Sequence, residues 1–196
     1  MKTVSPHLRY LGGFAAFLGT IQGLTWWILS CLVLSIYTGT WEPNPTNYFR
    51  LFTLYHFFQS FTYPITEDFY NISIHESTLV AISAFYLILS LTWLSSSIFL
   101  GIVLYRKMYG NFKMSVLIWA VLATVTTGVD IIITIVLSTD LRTIEDSVVL
   151  DDATKFIFTT VIGVVMTIFA RGYVLLVINF SVAMCFISNF LTTMRM

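Results

Sequence analysis

Four stretches of this sequence, residues 11–37, 78–105, 114–139 and 156–191, carry only two charged side chains among them, Asp130 and Arg171. A helix needs about 20 predominantly apolar residues to cross the hydrocarbon core of a bilayer, and each stretch is at least that long. Backbone amides in hydrocarbon must bond within their own segment, so stretches of this kind are helices. The composition agrees. Of the 196 residues, 57% are hydrophobic and 10% charged, where soluble domains carry about 25% charged residues; the mean hydropathy is +0.85. The sequence predicts an all-α membrane protein, a four-transmembrane-helix bundle in a single domain over residues 1–196. Its first span outruns the h-region of a secretory signal and is read as an uncleaved anchor.

Orientation follows from the basic residues. With both termini in the cytoplasm, the inner segments hold Lys2, Arg9, Arg106, Lys107, Lys113 and Arg195 and no acid. The outer segments hold Arg50, Arg142 and Lys155 with nine acids: Glu42, Glu67, Asp68, Glu76, Asp140, Glu145, Asp146, Asp151 and Asp152. This is the distribution the positive-inside rule selects. It predicts a multi-pass protein of the plasma membrane or an endomembrane, with outer loops 38–77 and 140–155, an inner loop 106–113, and N and C termini cytoplasmic. Asn71-Ile72-Ser73, a possible glycosylation acceptor, falls in the first outer loop.

That loop contains NYFRLFTLYHFFQSFTY, which predicts a helix over about 47–63 ended by Pro64. It is too aromatic for water and too short and polar for a fifth span. Tyr and Phe with few charges suit the membrane interface, so the helix is expected to lie there. Phe52, Tyr55, Phe57, Phe58 and Phe61 are its candidate surface for docking a partner. The second span is expected to start at a capping box, Ser73 to Glu76. Asp151 and Asp152 suit the positive end of the fourth helix.

Within the spans, Ala15, Gly19 and Gly23 recur every four residues and form a small-residue ridge suited to close helix packing. Packing within the chain and contact with a second copy are both open. Gln22 beside the ridge, and Asn179 in the fourth span, are expected to bond neighbouring helices. Ser95 to Ser97 reads as a further packing cluster.

Asp130 and Arg171 each cost about 2.5–3.5 kcal/mol at the centre of an inserted helix. Counted from the outer loop that joins their spans, at about 1.5 Å per residue, their backbones differ in depth by roughly 9 Å. Side chains lean toward the start of their own helix, which brings these two toward each other. An intramembrane Asp130–Arg171 charge pair is therefore expected. Three other arrangements stay open. Arg171 could reach the inner headgroups with Asp130 protonated; Asp130 could face a polar path beside Thr124, Thr126 and Thr127 and bind a proton or cation; or the fourth segment could break near Arg171-Gly172.

His7, His56 and His75 show no metal-ligand spacing. No phosphate loop, nucleophile elbow or basic platform for nucleic acid is present, and Cys31 and Cys185 lie in spans. No catalytic residue, metal or cofactor is expected.

The layout, with TIQGLTWWILSCLVL in the first span and FARGYVLLVINFSVA in the fourth, resembles small insect tetraspan proteins similar to the pasiflora group of septate-junction proteins, and loosely the lysosome-associated LAPTM proteins. That resemblance implies a non-enzymatic junctional or trafficking role and marks Arg171, Gly172 and Asn179 as typical of the fourth span. The expected function is a membrane scaffold or accessory protein whose partners are the lipid bilayer and a membrane protein or a second copy of itself. The alternative is a proton- or ion-linked transporter or channel subunit using Asp130.

Overall fold

The computed structural model describes residues 5–41, 76–146, 152–169 and 174–194. These form five helices and, among the described residues, no strand: α1 (Pro6–Tyr37), α2 (Glu76–Tyr105), α3 (Tyr109–Asp146), α4 (Asp152–Phe169) and α5 (Val174–Met194). Among the described residues, three helices are long and apolar enough to cross a membrane: α1, the Thr78–Tyr105 part of α2, and α3. At 38 residues, α3 extends about 57 Å, well beyond a hydrocarbon core of roughly 30 Å.

Local signals set the helix ends. Ser5 caps α1, its Oγ accepting from the Leu8 amide at 3.5 Å, and Pro6 occupies the first helical position, where its missing N–H costs nothing. The helices outrun the apolar stretches. The turn between α2 and α3 is confined to residues 106–108, inside the expected inner loop 106–113. Helix α3 continues through Asp146, inside the expected outer loop 140–155. Backbone hydrogen bonding persists past the uncharged run, and hydropathy marks only the part suited to cross a membrane. Of the expected fourth span, 156–191, the described residues hold α4 up to Phe169 and α5 from Val174. Residues 170–173, including Arg171 and Gly172, lie outside the described residues, as does 42–75 with the aromatic segment, Asn71 and the capping box.

The chain forms two compact units. One comprises Met1–Leu29, Tyr86–Val129 and Tyr173–Met196; the other comprises Ser30–Phe85 and Asp130–Gly172. In the first, Ala15, Trp93, Leu100, Val103, Trp119, Ala120, Ala183 and Phe186 are buried in one hydrophobic core. In the second, Ile36, Leu79, Ile133, Leu137, Ile144, Ile162 and Val165 are buried.

Polarity is arranged opposite to that of a soluble protein. Phe17, Ile21, Ile88, Phe99, Val121, Ile132, Ile135 and Val177 are exposed, while Gln22, Ser83, Ser90, Ser97, Thr126, Asp130 and Asn179 are buried. An apolar outside on long helices belongs in hydrocarbon, where the bilayer itself covers it. The chain is a multi-pass membrane protein by this criterion and by helix length.

Candidate functional site

The inward face of α2 runs Leu79, Ser83, Tyr86, Ser90, Trp93, Ser97 and Leu100, all buried. The spacing alternates four and three, a 3.5-residue repeat of coiled-coil type, with serine at every seventh position. Each serine hydroxyl donates to its own helix, Ser83 to the Leu79 carbonyl at 2.8 Å, Ser90 to Leu87 at 3.1 Å and Ser97 to Trp93 at 2.8 Å. Satisfied in this way, serine acts as a small side chain and admits a neighbouring backbone.

That neighbour is α1. A Cβ built on Gly19 would run into Ser97 Oγ and lie 2.7 Å from Trp119 Nε1. One on Gly23 would lie 3.0 Å from the Leu94 backbone, and one on Gly101 3.8 Å from the Ala16 Cβ. As α1 numbers rise, α2 numbers fall, so the two helices pack antiparallel. Further along, the Trp26 and Tyr86 rings meet at 6.0 Å. The ridge of Ala15, Gly19 and Gly23 is thus occupied by the chain's own second helix.

Trp119 on α3 closes the centre of this unit. Its Nε1 donates to Ser97 Oγ at 3.1 Å, its ring lies 6.3 Å from that of Trp93, and Phe186 of α5 meets it edge-on at 5.9 Å. Four helices converge on one indole. In the same unit, Gln22 of α1 and Asn179 of α5 exchange amide hydrogen bonds: Asn179 Nδ2 donates to Gln22 Oε1 at 2.7 Å, and Gln22 Nε2 donates to Asn179 Oδ1 at 3.4 Å. Both residues are buried.

Removing one amide of this pair strands the other in an apolar interior, so the single change should cost more than half of the double one. A cycle of Gln22→Leu, Asn179→Leu and the double variant, unfolded in mixed detergent micelles, is expected to give a coupling of about 0.6–1.7 kcal/mol. Strict additivity of the two single effects would show that the pair contributes nothing jointly.

In the second unit, the inward face of α3 keeps the same alternation through Asp130, Ile133, Leu137, Asp140 and Ile144, all buried. Asp130 is 1% exposed, and so is Asp140, which sequence reasoning placed in a solvated outer loop. The repeat extends about one and a half turns past the uncharged stretch that ends at residue 139 and carries Asp140 inward with it. The Thr134 hydroxyl donates to the Asp130 carbonyl at 2.7 Å. At the start of α4, Asp152 occupies the first turn, where a carboxylate meets the positive helix end, and Lys155 Nζ donates to the Glu145 carbonyl at 3.3 Å.

The structure thus brings Ala15, Gly19, Gln22, Gly23 and Asn179 into one packed core and buries Asp130 in the other unit. Arg171, Asn71 and the five aromatic docking residues Phe52, Tyr55, Phe57, Phe58 and Phe61 lie outside the described residues. Ser83, Ser90, Trp119 and Asp140 were missed as interior groups; the heptad spacing of the serines was the available signal. Comparisons with protein-family models, with curated proteins and with solved structures each find no match.

Proposed function

We propose that the chain is a non-enzymatic membrane scaffold or accessory subunit, serving junction assembly or membrane trafficking, with both termini cytoplasmic and four spans. The observation that carries this reading is the filled interior of the first unit. Trp93, Trp119, Leu100 and Phe186 occupy it, and Gln22, Asn179, Ser97 and Trp119 use polar atoms on one another across helices. A unit filled in this way leaves recognition to its surface, and the aromatic outer segment with Phe52, Tyr55, Phe57, Phe58 and Phe61 is the surface proposed for a membrane-protein partner.

Cross-linking in the native membrane, followed by mass determination of the complex, tests it. A species of fixed stoichiometry above the 22.3 kDa chain supports the proposal when replacement of Phe57 and Phe58 by serine abolishes it. A chain that stays monomeric and unlinked at every cross-linker length contradicts it.

A second reading rests on a separate observation, the burial of two carboxylates, Asp130 and Asp140, on one face of α3. An intramembrane acid is by default a candidate for proton or ion handling. In that reading the chain is a transporter or channel subunit, and Asp130 is the residue that binds the ion.

A further inference from the structure

At one end of the first unit, α1 begins where α2 turns into α3. The guanidinium of Arg9 sits 5.4 Å from the centroid of the Tyr109 ring. A Cβ on Gly12 would lie 3.2 Å from the Phe112 ring and 3.3 Å from Leu104. The first turns of α1 and α3 and the last turn of α2 therefore share one small area. Arg9, Arg106, Lys107 and Lys113 are all exposed on it. Tyr10 and Tyr105, 80% and 89% exposed, flank them. The sequence of this unit contains Lys2, Arg9, Arg106, Lys107, Lys113 and Arg195 and no aspartate or glutamate, so no acidic side chain of the unit competes for these cations.

The turn supplies a second observation. Lys107 has φ of 55°, the left-handed region that non-glycine residues enter at a cost. The turn is a Schellman cap: the Met108 amide bonds the Val103 carbonyl at 3.0 Å and the Lys107 amide bonds Leu104 at 3.2 Å. The end of α1 makes the same cap, with Thr40 on Ser35 at 3.0 Å and Gly39 on Ile36 at 3.1 Å. There the left-handed position is a glycine, with φ of 68°. Glycine would serve the α2 turn equally well. The chain instead places an ammonium there, and among the described residues no carboxylate pairs with it. A residue kept against the preference of its backbone points to a role outside the fold.

We propose that this end is a docking surface for anionic phospholipid headgroups. Arg9, Arg106, Lys107 and Lys113 meet the negatively charged headgroups, and Tyr10, Tyr105 and Tyr109 seat the surface in the headgroup layer, where tyrosine is favoured. The inference needs α1 to α3 to cross a membrane, and it holds whether the bundle scaffolds or transports. Charge complementarity selects the occupant: a surface of one sign at the bilayer edge attracts acidic lipid at a contribution of about fivefold per basic residue.

The full chain in detergent micelles, titrated with phosphatidylserine or phosphatidylcholine and read by native mass spectrometry, provides the test. Phosphatidylserine should be retained at least about tenfold more tightly, with the preference shrinking as salt rises from about 0.05 to 0.5 M. Neutralising Arg106, Lys107 and Lys113 together with glutamine should remove most of it. Lys107→Gly is the sharper variant: it should raise the melting temperature while lowering the preference about fivefold, whereas a merely structural lysine would move both readouts in one direction or leave the preference alone. Equal retention of the two lipids, or a preference that survives the triple change, overturns the proposal. So does equal competition by glycerophosphoserine or inorganic phosphate, which assigns the surface to a soluble anion, and so does preferential binding of a polyglutamate peptide, which assigns it to an acidic protein. Should the triple variant fail to fold, Lys107→Gly and the salt dependence of the unaltered chain still decide the matter.

Discussion

Trp119→Ala is expected to destabilise the bundle by about 3–5 kcal/mol, the range for emptying a buried Trp site. The indole is fully buried and is touched by Gly19 of α1, Trp93 and Ser97 of α2 and Phe186 of α5. Inside a membrane, water does not drive helices together, so the loss is one of dispersion contacts that the surrounding helices can recover only by collapsing together. Trp119→Phe separates ring from hydrogen bond. It keeps most of the packing and gives up one donor to Ser97 Oγ, whose own proton still goes to the Trp93 carbonyl, so its cost should be about 1 kcal/mol. Unfolding in mixed micelles measures both. Equal losses for the two variants would mean that the bond, and not the packed ring, holds the four helices.

The second large effect is a contrast between two glycines on one helix. Gly19→Leu should destabilise by about 3 kcal/mol or more, because its Cβ already meets Ser97 and Trp119 and the added carbons have no room without parting α1 from α2. Gly13→Leu should be neutral or stabilising by up to about 1 kcal/mol. Beyond its own turn of helix nothing lies within 4 Å of a Cβ there, and leucine is the better helix former. Opposite signs from the same substitution six residues apart would show that the small residues of α1 serve contact with α2. If both changes were tolerated and Gly19→Leu instead shifted the oligomeric state, the ridge would belong to a contact between copies.

Much of this architecture was legible because hydrocarbon imposes few choices. Helix positions followed from uncharged runs, whereas the start of α1 at Ser5-Pro6, six residues ahead of the apolar run, was not read. Gln22 and Asn179 stood out as amides in apolar helices, but which helix each would meet was hidden, since pairing across 157 positions is set by tertiary packing. Ser95 to Ser97 drew attention as a cluster, while the message lay in the heptad of Ser83, Ser90 and Ser97, of which only the last belongs to that cluster. Asp140 shows the limit of hydropathy. Composition put it beyond the membrane and so in solvent, and the 3.5-residue repeat of α3 put it inside. Lys107 shows another limit: a left-handed turn is expected at glycine, and a lysine gives no warning of one.

The most direct measurement is ion and proton flux through the purified chain in liposomes, with Asp130→Asn alongside. A scaffold predicts the same leak for both proteins, equal to that of empty vesicles under an imposed proton or cation gradient. A flux carried by the unaltered chain and lost in Asp130→Asn, with the variant inserted and folded to the same extent, would contradict the scaffold and assign the buried carboxylate to transport.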